Sequence, residues 1–151
     1  MEISRSIEVR ATPEAAYDLV SDLPGMGALS PENAGGRWRG GATGPAVGAR
    51  FKGRNRNGFY RWSTNAQVEV ADRGREFAFA ITSYRVIPVS RWRYTFVATA
   101  EGCTVTESWQ DRRPGWFKLP AGLATGVLDR EPATARSIEH TLASLKAALE
   151  R

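Results

Sequence analysis

Residues 49–71, ARFKGRNRNGFYRWSTNAQVEVA, contain two runs of alternating side chains separated by Asn57 and Gly58. Alternation with a period of two is typical of a strand with one buried face, and an Asn-Gly pair is the strongest short signal for a hairpin turn. The mostly apolar face of the second run carries Tyr60, Trp62, Thr64, Ala66, Val68 and Val70. The stretch therefore predicts a β-hairpin with strands at 49–57 and 59–71.

The same alternation continues on both sides of this hairpin. Further strands are predicted at 75–84, 89–99 and 103–111, with turn residues between them, and a short strand around Trp38 lies in the Gly-rich segment before the hairpin. Residues 2–10 alternate in the same way, with Ile3, Ile7 and Val9 on one side. The inward sets of the later strands are Phe77, Phe79, Ile81, Trp92, Tyr94, Phe96, Cys103, Val105, Glu107 and Trp109. The pattern predicts seven antiparallel strands whose inner face is strongly aromatic.

Helices are predicted after the first strand and at the C-terminus. Thr12 is placed as an N-cap with Pro13 at the first helical position, and Pro24-Gly25 ends this helix before a possible second turn around Met26 to Leu29. At the C-terminus, a stripe of Ile138, Leu142, Leu145 and Leu149 indicates a long amphipathic helix whose first turn includes Pro132. Residues 114–127 are predicted to form a loop that is either a mobile lid or a hydrophobic plug. The fold class is therefore α+β.

Composition limits the chemistry available to the chain. It has 151 residues, a net charge of +5 and one residue each of His and Cys, so it cannot assemble a His/Cys zinc site, and we expect neither a metal nor a cofactor. His140 is predicted to be exposed and Cys103 to be a buried, inert thiol. Most of the 21 basic residues are arginines, and many of these fall on the polar side of the predicted strands. No helix or RNA-binding signature surrounds them, so we do not expect nucleic acid as a partner. We expect a cytoplasmic protein with no membrane insertion, one domain over residues 1–151, and a monomer or homodimer.

Several motifs resemble a known family over essentially the whole chain: AYDLVSDLPGMGALSPE (16–32), VGARFKGRNRNGFYRWST (47–64), GREFAF (74–79), RWRYTF (91–96) and TVTESW (104–109). They are similar to the START-related SRPBCC superfamily, and in particular to actinobacterial polyketide cyclase/dehydrase-like proteins. The resemblance implies the helix-grip fold of the birch pollen allergen, a curved seven-stranded antiparallel sheet wrapped around the C-terminal helix with a cavity between them.

The inward side chains would line that cavity or simply fill a core, and the sequence does not separate these two readings. The candidate ligand-binding residues are Met26, Leu29, Asn55, Tyr60, Trp62, Thr64, Phe77, Phe79, Ile81, Trp92, Tyr94, Phe96, Glu107, Trp109, Ile138, Leu142 and Leu145. A continuous void of roughly 300–1,000 Å³ or more would favour ligand binding, and solid packing would exclude it.

Glu107 is the most informative of these candidates. A buried carboxylate must be paired, hydrogen-bonded or protonated, because an isolated buried charge is very costly. Arg5 also points inward from the first strand, and we predict that the first and last strands pair in a register that brings Arg5 close to Glu107. A paired or ligand-orienting Glu107 is one interpretation. In the other, Glu107 or Tyr94 is a catalytic acid or base.

Three functions follow from this reading. The leading hypothesis is binding of a small hydrophobic molecule, aromatic polyketide-like or lipid-like, in the cavity. The alternative is a polyketide cyclase or dehydratase that acts on such a ligand in the same cavity. A third hypothesis is a module that binds a protein or a nucleic acid through the arginine-rich outer face of the sheet.

Overall fold

The computed structural model describes residues 2–84 and 86–151. The strands are β1 Glu2–Val9, β2 Asn33–Arg39, β3 Arg50–Asn57, β4 Tyr60–Asp72, β5 Glu76–Ser83, β6 Ile87–Ala98 and β7 Cys103–Asp111. They form one antiparallel sheet in the order β1-β7-β6-β5-β4-β3-β2. The predicted strands are therefore present, and the first strand of the chain lies beside the last.

In the described part of the chain, three α-helices and one 3₁₀ helix accompany the sheet: α1 Pro13–Ser21, the 3₁₀ helix Leu23–Ala28, α2 Gly115–Thr125 and α3 Arg130–Leu149. Thr12 caps α1 as predicted, because its Oγ1 accepts a hydrogen bond from the backbone N–H of Ala15 at 3.1 Å. Together these elements form the predicted α+β helix-grip arrangement. Among the described residues, no helix is long and apolar enough to cross a bilayer.

The core lies between the inner face of the sheet and the helices α1 and α3. Tyr17 of α1 makes edge-on ring contacts with Phe77 and Phe96, each at 5.9 Å between centroids. From α3, Ile138, Leu142 and Leu145 are buried in the same cluster. The outer face is charged: Arg93 of β6 binds Glu76 of the neighbouring β5, and Arg91 of β6 reaches across β5 to Glu69 of β4.

The prediction of a loop at 114–127 is wrong, because residues Gly115–Thr125 form α2. The prolines and glycines of this segment are ordinarily helix breakers, but three of them have a structural role here. Pro114 is the N-cap of the helix, and Gly126 ends it in the left-handed conformation at φ 75°. Gly122 packs closely against Leu128, since a Cβ at position 122 would lie 3.0 Å from the Leu128 side chain. Trp116, Leu119 and Leu123 of α2 are exposed and do not plug the space beneath it.

Candidate functional site

A cavity of about 210 Å³ lies between the inner face of the sheet and α3. It exists because α3 packs against β1, β7 and α1, which leaves part of the inner face of the other strands uncovered. The cavity is smaller than the roughly 300–1,000 Å³ that we set as the criterion in favour of ligand binding, which is the range of pockets for drug-sized ligands. It is larger than the roughly 150 Å³ that holds benzene in an engineered apolar cavity. Its size suits a ligand of one or two rings.

The structure brings a large part of the predicted set together on the cavity wall: Met26, Asn55, Trp62, Thr64, Phe79, Ile81, Trp92, Tyr94, Glu107 and Trp109. These residues come from the 3₁₀ helix and from strands β3 to β7. Successive inward positions of neighbouring strands stand side by side on one face of a sheet, which is why alternation alone could group them.

The remaining candidates lie away from the wall. Leu29, Phe77, Phe96, Ile138, Leu142 and Leu145 are buried in the core, and Tyr60 is about half exposed beside Gly126. Phe77 and Phe96 fill the space under α1. The apolar stripe of α3 faces the helix and strands on which it packs, so it does not reach the cavity.

The sequence reading missed the hydroxyl-bearing face of α3. Thr134, Ser137 and Thr141 line the cavity, and Thr134 and Thr141 are buried. Their spacing of three and four residues is the helical signal that could have identified them. The other lining residues outside the predicted set are Leu23, Ser30, Glu32, Asn33, Phe51, Gly53, Ala66, Val89, Ser90, Arg113, Ala121, Thr125 and Arg130.

Glu107 and Tyr94 form a buried hydrogen-bonded pair in this wall. The Tyr94 hydroxyl donates to Oε2 of Glu107 at 2.6 Å, and both residues are almost completely buried. Burial raises the pKa of Glu107 to about 8, although the hydrogen bond from Tyr94 works in the opposite direction. Burial, together with the nearby Glu107, also raises the pKa of Tyr94 well above its ordinary value. At neutral pH the carboxyl group is therefore largely protonated.

The predicted register of β1 and β7 is confirmed, but Arg5 and Glu107 do not form an ion pair. Arg5 lies opposite Glu107 in the sheet. Its guanidinium nevertheless turns to Glu139 of α3, with Nε 3.5 Å from Oε1, and both side chains are about half exposed. Because β1 is an edge strand, Arg5 reaches an exposed partner and stays hydrated, whereas a contact with Glu107 would require its burial. The partner of Glu107 is instead the hydroxyl group of Tyr94.

Two ion pairs stand at the end of the cavity where α2 and α3 begin. Arg113 is 2.9 Å from Asp111, and both side chains are nearly buried. Arg130 lies 2.8 Å from Glu32 and also donates to Oγ1 of Thr125 at 3.2 Å. The two arginines are therefore held by carboxylates of the protein.

Polar groups deeper in the cavity and elsewhere are mostly satisfied. Asn55 donates to the Thr64 hydroxyl at 3.1 Å, so these two predicted polar residues bind each other.

His140 is exposed on α3 and does not line this cavity. Cys103 is buried, and burial raises the pKa of its thiol. Within residues 2–84 and 86–151, no group of three His, Cys, Asp or Glu side chains is arranged to hold a metal ion.

Comparison with known proteins places this geometry in context. The family model described as "Polyketide cyclase / dehydrase and lipid transport" matches residues 1–150. A search of curated proteins returned no match.

Solved structures with the same architecture extend this comparison. A polyketide cyclase-like protein of Corynebacterium glutamicum is 28% identical with a TM-score of 0.66, over 98% of this chain and 90% of that one. A di-domain ARO/CYC protein of the steffimycin biosynthetic pathway is 13% identical with a TM-score of 0.75, over 98% of this chain and 50% of that one. The Aha1 dimer of Colwellia psychrerythraea is 14% identical with a TM-score of 0.68, over 99% of this chain and 96% of that one. The last two resemble this chain in fold alone.

Proposed function

The chain belongs to the polyketide cyclase/dehydrase and lipid transport family, and from that premise we propose that residues 1–151 form one domain that binds a small hydrophobic molecule in the cavity between sheet and α3. The observation that carries the proposal is the cavity itself, a void of about 210 Å³ walled largely by aromatic and aliphatic side chains. Protein interiors are ordinarily close-packed, so a void of this size beside three tryptophans favours a ligand over a solid core.

The volume indicates which part of a ligand the cavity holds. A compact bicyclic molecule that buries about 200 Å² of apolar surface gains roughly 5 kcal/mol from the hydrophobic effect, which corresponds to a dissociation constant of about 0.2 mM before other terms. Tighter binding needs polar contacts or further apolar area. A longer polyketide-like or lipid-like ligand would leave part of its length outside the cavity, near α2 and the Glu32–Arg130 pair.

Nuclear magnetic resonance of the indole N–H groups tests this proposal directly. Titration with indane, a bicyclic hydrocarbon, should shift the resonances of Trp62, Trp92 and Trp109, which line the cavity. Trp116 is exposed on α2 and serves as the internal control, with no comparable shift expected. Saturable shifts confined to the three lining tryptophans support the proposal, and uniform or absent shifts overturn it.

A cavity-filling variant supplies the second arm of the test. Ala66 lines the cavity from β4, and its neighbour Gln67 is exposed on the opposite face of the same strand. Ala66→Leu places additional carbon atoms in the void and should weaken indane binding at least tenfold, while the matched Gln67→Leu variant should bind like the wild type. Equal affinity in the two variants would locate the ligand elsewhere.

A cyclase or dehydratase is the second candidate, and the Glu107–Tyr94 pair favours it. A largely protonated carboxyl group beside a phenol, inside an apolar cavity, is able to donate a proton to a bound carbonyl or hydroxyl group. Incubation with a short aromatic poly-β-ketone, followed by mass spectrometry for loss of water, would test for this activity. If it is present, Glu107→Gln should abolish it, since an amide does not exchange a proton in this way.

A further inference from the structure

Glu107 has an unused hydrogen-bonding position at the cavity. Its Oε2 accepts from Tyr94, whereas Oε1 has no hydrogen-bond partner and is the only buried side-chain oxygen or nitrogen in that state in the described part of the chain. Buried polar groups are nearly always satisfied, because an unmade hydrogen bond leaves the desolvation of the group uncompensated. An oxygen atom without a hydrogen-bond partner at the wall of a cavity is therefore a position where a polar group of a ligand would bind.

In the described part of the chain, the arginines that lie opposite Glu107 or share its cavity are bound to other partners. Arg5 of β1, which lies opposite it in the sheet, pairs with Glu139 on α3. Arg113 and Arg130 share the cavity, but they are held by Asp111 and Glu32 respectively. From β6 the titratable neighbour is Tyr94, and from α3 the groups in the wall are the uncharged hydroxyls of Thr134, Ser137 and Thr141. Thus no cation within residues 2–84 and 86–151 compensates a negative charge on Glu107, and the neutral acid is the form that suits this environment.

The Tyr94 hydrogen bond decides which oxygen of the neutral acid carries the proton. Tyr94 donates to Oε2, so Oε2 acts as the carbonyl oxygen of the acid, and the proton lies on Oε1. A neutral Glu107 is then a hydrogen-bond donor toward whatever occupies the cavity. A ligand that offers only another donor, such as an ammonium group, would leave this proton unpaired.

We propose that Glu107 donates a hydrogen bond from Oε1 to a carbonyl oxygen of the ligand, so that the cavity selects uncharged cyclic ketones or quinones over hydrocarbons of the same shape. This inference rests on the proposed function, since it assigns the chemistry of the molecule held in the same cavity. Tyr94 is the positioning residue, because it orients the carboxyl group without needing to touch the ligand.

Indane and 1-indanone provide a shape-matched pair of probes that differ by one carbonyl oxygen. The measured quantity is the ratio of their dissociation constants, compared between variants so that the different hydration of the two probes cancels. At pH 6.5 the wild type should favour 1-indanone, relative to Glu107→Leu, by roughly threefold to tenfold, the usual range for one net hydrogen bond. Glu107→Gln should keep the wild-type ratio, because its amide also donates while its oxygen still accepts from Tyr94.

Raising the pH separates the neutral acid from the carboxylate. At pH 9.5 the wild type should lose its preference for 1-indanone, since an ionised Glu107 presents only acceptors to the ketone. Glu107→Gln should keep its preference at both pH values, and Glu101→Gln, at the exposed turn between β6 and β7, should follow the wild type.

The outcomes distinguish this inference from the proposed function. If indane binds but the ratio is the same in wild type and Glu107→Leu, the carbonyl assignment is overturned, as it would be if an internal water satisfied Oε1, and the cavity remains a hydrophobic site. If neither probe binds to the wild type, both proposals fall. Binding of both probes with a ratio that depends on Glu107 and on pH supports both.

Discussion

Replacing Glu107 with glutamine should remove a pH dependence from the stability of this protein. The pKa of Glu107 is about 8 in the folded chain, against an ordinary value of 4.5 for an accessible glutamate. Between these two values the folded state holds a proton that the unfolded state has released. The stabilisation is therefore complete below about pH 4.5 and is lost as the pH rises through 8. The amide of the Glu107→Gln variant has no such proton to release, so the variant lacks this contribution.

The size of the effect follows from the two pKa values. Each unit of difference corresponds to about 1.4 kcal/mol, so the free energy of unfolding of the wild type should fall by about 3 kcal/mol, relative to Glu107→Gln, between pH 5 and pH 8. Urea denaturation at pH 5, 6, 7 and 8 measures this difference. Glu101→Gln makes the same chemical change where water solvates the side chain, and it should run parallel to the wild type. Parallel profiles for the wild type and Glu107→Gln would show that Glu107 is ionised in the folded protein, and the reasoning about a neutral carboxyl group would then be wrong.

Two further predictions separate the core from the cavity and test backbone packing. Phe77 is fully buried under α1, so Phe77→Ala should lower the free energy of unfolding by about 3–5 kcal/mol. Phe79 lies at the cavity wall, so Phe79→Ala should lower the free energy of unfolding by less and should weaken ligand binding. Equal losses of stability for the two variants in urea denaturation would contradict this division. A Cβ at Gly102 would stand 2.0 Å from the carbonyl oxygen of Val9, so Gly102→Ala should lower the free energy of unfolding by about 1–3 kcal/mol. Gly44→Ala is the control, since nothing lies within 4 Å of its added carbon, and a similar loss in both variants on thermal denaturation would refute the steric argument.

Alternation and local turn chemistry were sufficient to predict most of the sheet. The hairpin between β3 and β4 is present, although its turn lies one residue later than predicted, at Gly58 and Phe59, because Asn57 pairs with Tyr60 at the end of the strands. Thr12 caps α1, and Arg5 stands opposite Glu107 in the register that the family resemblance implied for β1 and β7. The hairpin and the cap depend on interactions between residues close in sequence, and the period of two assigns each side chain to one face wherever the strand lies. The pairing of the first strand with the last came from the family resemblance. The inward direction of Glu107 follows from the same rule.

The sequence pattern did not predict where the end of a long side chain lies, nor that residues Gly115–Thr125 form a helix. Arg5 points to the inner face, but at an edge strand its guanidinium reaches Glu139 and water, which alternation does not describe. The segment of α2 contains prolines and glycines, which are unfavourable inside helices. It is helical because Pro114 lies at the N-cap, Gly126 at the C-cap, and Gly122 where the helix packs closely against Leu128. Local propensity is a weak guide where tertiary contacts select the conformation.

By itself, the sequence determined an antiparallel sheet with an aromatic inner face, a capped first helix and a long C-terminal helix, because hydrophobic period and turn residues act locally. Only the tertiary structure decided which inward residues surround a void. That division depends on where α3 lies, and α3 packs its apolar stripe on β1, β7 and α1 and turns Thr134, Ser137 and Thr141 toward the cavity. The register of β6 and β7 places Tyr94 beside Glu107, and the covering of this part of the sheet buries the pair. That burial in three dimensions, which no linear pattern records, raises the pKa of Glu107 and makes it a neutral acid.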